Sequence, residues 1–272
     1  NQTVAGRWNH DDNSLVFWME GPLQSEQGYR LEVRGHVDNL SLYASQVFHF
    51  QSDNQTLDLN NGLVAYYPLD KDLIDYSSNS FNGSPIGTPI HSTDRFNRSG
   101  SISTTDQDYV LVTDSPSLRF STNFSILSWV YPTNPKASTS YNIQSIISKF
   151  QSFDSNAFAL RLRFGKLNLA GGVSRVCSYE IQPEKWTLIA VVIQENTARI
   201  FSNGREVCNL SGMNISGSST DSITLGNDYT ISGVSQNRGF QGRLDDIRFY
   251  NRLLNQQEIY ALYAVADPNP LE

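Results

Sequence analysis

The sequence predicts an all-β protein, built mainly as one large antiparallel β-sandwich and closed by a short C-terminal helix. Three observations carry this. Apolar and polar residues alternate over short runs, turn residues recur about every ten positions, and helical periodicity is confined to one segment near the end. With 272 residues, 39% of them hydrophobic, the chain can bury one large core, or one core and a smaller appendage.

Taken in order, Leu15 to Met19, Tyr29 to Val33 and Val47 to Phe50 read as strands, with Tyr29, Leu31 and Val33 alternating against Arg30, Glu32 and Arg34. Residues 1–60 therefore form a small β-rich segment, either the tail of a preceding β-domain or an appendage. The polar stretch Ser52 to Gly62 reads as its linker. The sandwich is expected over residues 61–266. There Phe158, Leu160, Leu162 and Phe164 share one face while Arg161 and Arg163 share the other, and Gly165-Lys166 reads as a hairpin turn into Leu167 and Leu169. Thr187 to Gln194 is apolar on both faces, as a doubly covered central strand requires. Ala198 to Ser202 follows, then the hairpin signal Asn203-Gly204 and a strand from Arg205 to Leu210. The helix is expected over Asn255 to Ala264, with Asn255 as cap, Glu258 three residues on, and Ile259, Leu262 and Tyr263 as its apolar stripe. Residues 267–272 read as a tail whose Leu271-Glu272 is a remnant of expression.

Only 17% of residues are charged, and the net charge is −7. That balance argues against nucleic acid, whose phosphates call for clustered Lys and Arg. The longest apolar run, Leu188 to Ile193, is far below the roughly 20 residues of a membrane-spanning helix, so no direct membrane insertion is expected. The chain starts at Asn1 without Met and is read as a mature or excised part of a larger multidomain protein. Asn-x-Ser/Thr occurs at Asn1, Asn39, Asn54, Asn82, Asn97, Asn123, Asn209 and Asn214, which points to a secreted or cell-surface glycoprotein.

The cysteines are two, Cys177 and Cys208. Cys177 precedes a strand end near Ile181 and Cys208 follows the Asn203-Gly204 hairpin, so in an extracellular sandwich a disulfide is expected. Two buried free thiols are the alternative.

From Leu63 to about Tyr263 several segments stand in a specific order. Leu63-Val64-Ala65-Tyr66-Tyr67-Pro68-Leu69-Asp70 leads into the turn Asp75-Tyr76-Ser77-Ser78-Asn79-Ser80-Phe81-Asn82-Gly83. Phe124 to Val130, Ile146 to Lys149, Glu184 to Thr187 and Phe240 to Arg252 follow. This arrangement resembles the laminin-G-like jelly rolls (LamG type 3) of the concanavalin A-like lectin/glucanase superfamily. The resemblance implies a jelly-roll sandwich. One departure is that Ser78 and Ser80 stand where the turn of that family usually carries Gly.

The segment from Asp70 to Asn82 is dense in the hard oxygen donors that Ca²⁺ takes six to eight at a time. The resemblance implies a structural calcium held by Asp75, Asn79 and Asn82 together with Asp245 or Asp246 of the closing strand. Ordinary turn chemistry of Asp and Asn is the alternative. Trp129 and Trp186 fall on apolar segments and are expected in the core, while Trp8 and Trp18 have no assignable orientation. No catalytic residues are identified. The Glu-x-Asp-x-Glu strand of laminarinase-like relatives is missing, as are Gly-x-Ser-x-Gly and any cluster among His10, His36, His49 and His91. A non-catalytic binding module is therefore expected. Its partner is a glycan or an extracellular protein, and its contacts are sought in loops such as Thr133 to Asn142 and Ser211 to Ser222.

Overall fold

A computed structural model describes residues 4–9, 14–19, 28–37 and 40–51 as backbone, and residues 58–136, 140–149, 157–213, 215–228 and 237–264 in detail. The chain divides into two units, Asn1–Asp58 and Leu59–Glu272. In the first, β1 (Val4–Asn9) pairs antiparallel with β2 (Ser14–Met19), setting Trp8 opposite Leu15 and Trp18 opposite Ala5. A second hairpin joins β3 (Gly28–Val37) to β4 (Leu40–Gln51). The three strands expected here fall within β2, β3 and β4, and β1 is additional. Residues 52–57 of the expected linker lie outside the described residues, as do His10 and the tail 267–272.

The second unit is a two-sheet sandwich. Its strands are β5 (Leu63–Tyr67), β6 (Gly83–Ile86), β7 (Ile90–Thr93), β8 (Ser99–Thr104), β9 (Tyr109–Val112), β10 (Asn123–Pro132), β11 (Ile143–Lys149) and β12 (Phe158–Arg163). They continue with β13 (Lys166–Ala170), β14 (Ser174–Glu180), β15 (Thr187–Gln194), β16 (Thr197–Ser202), β17 (Arg205–Ser211), β18 (Ile223–Leu225) and β19 (Gly242–Tyr250), and helix α1 (Gln256–Ala264) follows. One sheet runs β17-β16-β15-β10-β19-β8-β7, with β5 also paired to β19. The other runs β14-β13-β12-β11-β18-β9-β6.

Period-two alternation explains how the layers close. In β15, Ile189, Val191 and Ile193 enter the core between the sheets, while Leu188, Ala190 and Val192 enter a second apolar layer beneath α1. β10 divides the same way, Phe124, Ile126 and Val130 inward and Leu127 and Trp129 outward. Both central strands are covered on both faces, as the continuous apolar run at 188–193 requires. Ile259 and Leu262 bury the α1 stripe on that outer layer, with Tyr263 packed beside them. A reciprocal capping box starts the helix: Glu258 N–H donates to Asn255 Oδ1 at 2.9 Å, and Asn255 N–H donates to Glu258 Oε2 at 2.9 Å.

Two hairpins differ in detail. Asn203 and Gly204 both take positive φ, 49° and 79°, between β16 and β17, as expected. The β12–β13 turn is instead Phe164-Gly165, with φ of 52° and 77°, and Lys166 already belongs to β13. Phe164 thus leaves the core face on which its spacing placed it and is 57% exposed. Alternation cannot extend through a residue forced into the left-handed region.

Cys177 on β14 and Cys208 on β17 form a disulfide, with Cα atoms 5.9 Å apart. Since these strands are the edges of opposite sheets, the bond staples the two layers along one side.

Candidate functional site

The acidic turn is a hydrogen-bonded plug. Asp75 is 4% exposed. Its Oδ1 accepts from the Tyr66 and Ser77 N–H groups, each at 2.8 Å, and its Oδ2 accepts from Ser77 Oγ at 2.8 Å and the Phe81 N–H at 2.9 Å. Four donors use the acceptor capacity of one carboxylate. Asn82 Oδ1 accepts from the Asp75 N–H at 3.0 Å, and Asn79 Nδ2 donates to the Val64 carbonyl at 2.9 Å. These contacts lash the turn to β5. Ser80 takes the left-handed conformation itself, at φ 60°, in the place where a glycine was expected.

Asp245 and Asp246 serve a different partner. A β-bulge at this point, with Asp246 at φ 47°, lets two consecutive carboxylates reach one cation. Arg95, from the turn between β7 and β8, donates through Nη1 to Asp245 Oδ2 and through Nη2 to Asp246 Oδ2, the latter at 2.6 Å. Its guanidinium lies 4.6 Å from the Phe96 ring centroid and 4.7 Å from that of Trp129. The Tyr66 hydroxyl also donates to Asp246 Oδ1, at 2.6 Å. Burial, with Asp246 alongside, pushes the Asp245 carboxyl up to about 8 against the pull of Arg95. The expected calcium set does not fit this arrangement. Asp75 and Asn82 spend their oxygens on the turn itself, and a guanidinium bridges Asp245 and Asp246. Turn and closing strand are both tied to β5, through hydrogen bonds to Tyr66.

Trp129 is buried, as expected, beneath Tyr263 and beside Arg95. Trp186 is half-buried against Tyr131, with Arg243 over both rings. Asn82, Asn97, Asn123 and Asn209 are exposed, while Asn1, Asn39, Asn54 and Asn214 lie outside the described residues.

A different cluster lies on the outer face of the seven-stranded sheet. Phe158, Leu160 and Leu162 of β12 point into the core, so Arg161 and Arg163 point out. Arg161 is 1% exposed and grips Asp228, with Nη2 to Oδ2 at 2.8 Å and Nε to Oδ1 at 3.3 Å. Arg238 Nη1 donates to the same Oδ2 at 3.2 Å, and Ser145 Oγ donates to Oδ1. Asn227 Oδ1 accepts from the Asp228 N–H at 2.8 Å. Two exposed aromatics stand at the rim. Tyr141 is 69% exposed, with the Arg238 guanidinium 5.1 Å from its ring centroid; Phe164 is 57% exposed, with that of Arg163 at 5.9 Å. The Phe164 N–H donates to the Asn142 carbonyl at 3.1 Å, so the two aromatic-bearing turns are adjacent. Both aromatics have positive φ, 58° and 52°, which lifts their rings out of the strand register.

Tyr141 belongs to the loop Thr133 to Asn142 singled out from composition, of which residues 137–139 lie outside the described residues. The companion loop, Ser211 to Ser222, instead buries Met213 and Ile215 in the core. Phe164 and Arg161 were read from the sequence only as alternating strand residues, and neither they nor Asp228 and Arg238 were singled out as site residues. The signal that could have found Phe164 is the preference of two-residue hairpins for an X-Gly pair, which places X at the tip.

Residues 104–260 match the Laminin_G_3 family model, described as the concanavalin A-like lectin/glucanases superfamily. Among solved structures, domain 4 of AbnA, a GH43 extracellular arabinanase from Geobacillus stearothermophilus, in complex with arabinotriose, is 18% identical with a TM-score of 0.59. That match covers 74% of this chain and 98% of that domain. The binding domain of Paraclostridial Mosquitocidal Protein 1 is 18% identical with a TM-score of 0.59, covering 77% of this chain and 53% of that one. The receptor binding domain of botulinum neurotoxin C/D mosaic serotype is 15% identical with a TM-score of 0.60, covering 76% and 52%. This chain thus spans about half the length of the toxin domains it matches. No curated protein matches it in sequence.

Proposed function

The chain belongs to the Laminin_G_3 family of the concanavalin A-like lectin/glucanases superfamily, and on that footing we propose that it is a non-catalytic carbohydrate-binding module of a secreted or cell-surface protein. One observation carries the reading. Tyr141 and Phe164 expose their rings on adjacent turns, joined by the hydrogen bond from the Phe164 N–H to the Asn142 carbonyl, at the rim of an Arg161-Asp228-Arg238 network. Saccharide sites combine flat apolar platforms, which pack against sugar C–H faces, with a few rigidly held polar groups. The likeness in fold to an arabinanase domain solved with arabinotriose supports the same reading. A disulfide that staples the sheets supports an oxidising, extracellular compartment. In this reading Arg95, not calcium, ties the β7–β8 turn to the closing strand.

Retention on immobilised polysaccharides, with and without calcium, tests binding, and release of reducing sugar tests catalysis. The expected result is calcium-independent retention without release. Hydrolysis would overturn the non-catalytic assignment. Failure to retain any glycan, with saturable capture of a protein ligand, would move the function to adhesion.

A further inference from the structure

The side chains around Tyr141 and Phe164 carry a charge opposite to that of the whole chain. Arg163 pairs in register with Lys166, and Lys166 with Glu180, so these side chains lie in one row across β12, β13 and β14. Lys136 reaches Glu180 and lays its aliphatic stem along Gly165, next to Phe164. With Arg161 and Arg238, the rim gathers five basic side chains among the described residues. Against them, among the described residues, stand three carboxylates: Asp228, Glu180 and Asp106, which accepts from the Gly239 N–H. This excess of positive charge sits in a protein of net charge −7.

The carboxylates are already engaged, while the guanidinium groups are not exhausted. Asp228 is shared by two arginines and a serine. Among the described residues, Arg163 Nε and Arg238 Nε are buried with no acceptor. A buried donor without a partner is a standing cost, and it leaves the positive charge of each guanidinium uncompensated toward an anion at the rim. Arg161 feels the same imbalance: burial pulls its guanidinium below its ordinary value, and neighbouring Arg238 adds to the pull while Asp228 opposes it. A planar guanidinium beside an aromatic ring matches a sugar that carries a planar carboxylate, the ring taking the C–H face and the fork taking the acid.

We propose that the Tyr141/Phe164 rim binds a saccharide bearing a carboxylate, a uronic acid unit, with Arg163 and Arg238 meeting the acid group. The proposal rests on the carbohydrate-binding reading. Calorimetric titration with trigalacturonate and with its fully methyl-esterified form separates the two, because the esters keep the sugar ring and remove the charge. The acid should bind at least 10-fold tighter than the ester at low salt, and the margin should shrink as salt rises. Tyr141→Ala and Phe164→Ala should each weaken both ligands about 10-fold, whereas Arg163→Gln and Arg238→Gln should abolish the preference for the acid. Melting curves for each variant separate loss of binding from loss of fold. Equal affinity for acid and ester would overturn the charge assignment and leave the carbohydrate reading standing. Tight binding untouched by all four variants would overturn the location. Absence of binding to either form, with a neutral arabino-oligosaccharide retained, would likewise overturn the acidic ligand alone, whereas no binding to any saccharide would sink the carbohydrate reading itself.

Discussion

Arg95 and Asp245 lie 150 positions apart in the chain and meet through a charge-assisted hydrogen bond almost hidden from solvent, with side-chain exposures of 11% and 3%. The guanidinium carries the bond across to Asp246 and is held between two aromatic rings. Removing one partner of a buried ion pair costs about 3–5 kcal/mol; here Asp245 can take up a proton and Arg248 stays 3.8 Å from Asp246, which holds the cost toward the lower end of that range. Arg95→Met should lower the melting temperature accordingly, and thermal melts of the wild type should coincide in calcium and in chelator. A melting temperature that rises with calcium in the wild type would show that an ion, and not the guanidinium alone, closes this end of the sandwich.

Lys149 is fully buried and donates through Nζ to Asp114 at 2.8 Å and to the Asp221 carbonyl. Burial pulls the lysine below its ordinary value, and Asp114 restrains the shift. Asp114→Ala should therefore destabilise by about 3 kcal/mol or more, while the double change Lys149→Met with Asp114→Ala should recover part of that loss. Denaturant unfolding of the three variants measures the coupling. Strict additivity would mean that the pair does not act as a unit.

The Cys177–Cys208 bond closes a separation of 31 residues, worth about 3–4 kcal/mol in the chain-entropy account. Cys177→Ser with Cys208→Ser should lower the unfolding midpoint, with the edge strands β14 and β17 exchanging amide hydrogens first. Non-reducing peptide mapping should find the linked pair. Two alkylatable thiols in denatured, unreduced protein would refute it.

The capping box gives a pH signature. Burial raises the Glu258 carboxyl, but Arg252 and the Asn255 N–H outweigh burial and hold it below its ordinary value. Because the folded form prefers the carboxylate, this contribution to stability is present above the ordinary range near 4.5 and is lost as pH falls through the lower folded value. Glu258→Gln should flatten the acid limb of the stability profile, and Asn255→Ala should cost about 1 kcal/mol at neutral pH. An unchanged acid limb in Glu258→Gln would assign the acid sensitivity to other carboxylates.

Local chemistry made much of this protein legible from its residues alone. Unbroken apolar character from Leu188 to Ile193 can be satisfied only by a strand covered on both faces, Asn203-Gly204 only by a tight hairpin, and Asn255 with Glu258 by a capped helix start, because each depends on neighbours a few positions away. The landmark order from Leu63 onward made the jelly roll legible as well. The partners of the charged groups were not legible, because side chains far apart in sequence choose one another only once the strands are in register. Asp75 offered the same oxygens whether to a metal or to the backbone of Tyr66, Ser77 and Phe81, and the turn closing on β5 decided it. Asp245 and Asp246 met Arg95 because a bulge turned both toward the β7–β8 hairpin. Phe164 read as a core residue by its spacing, and a left-handed backbone angle at the hairpin tip carried it out beside Tyr141. Propensity and patterning thus determined the layers and the helix, while register, bulges and turn geometry decided which polar groups remained for a ligand.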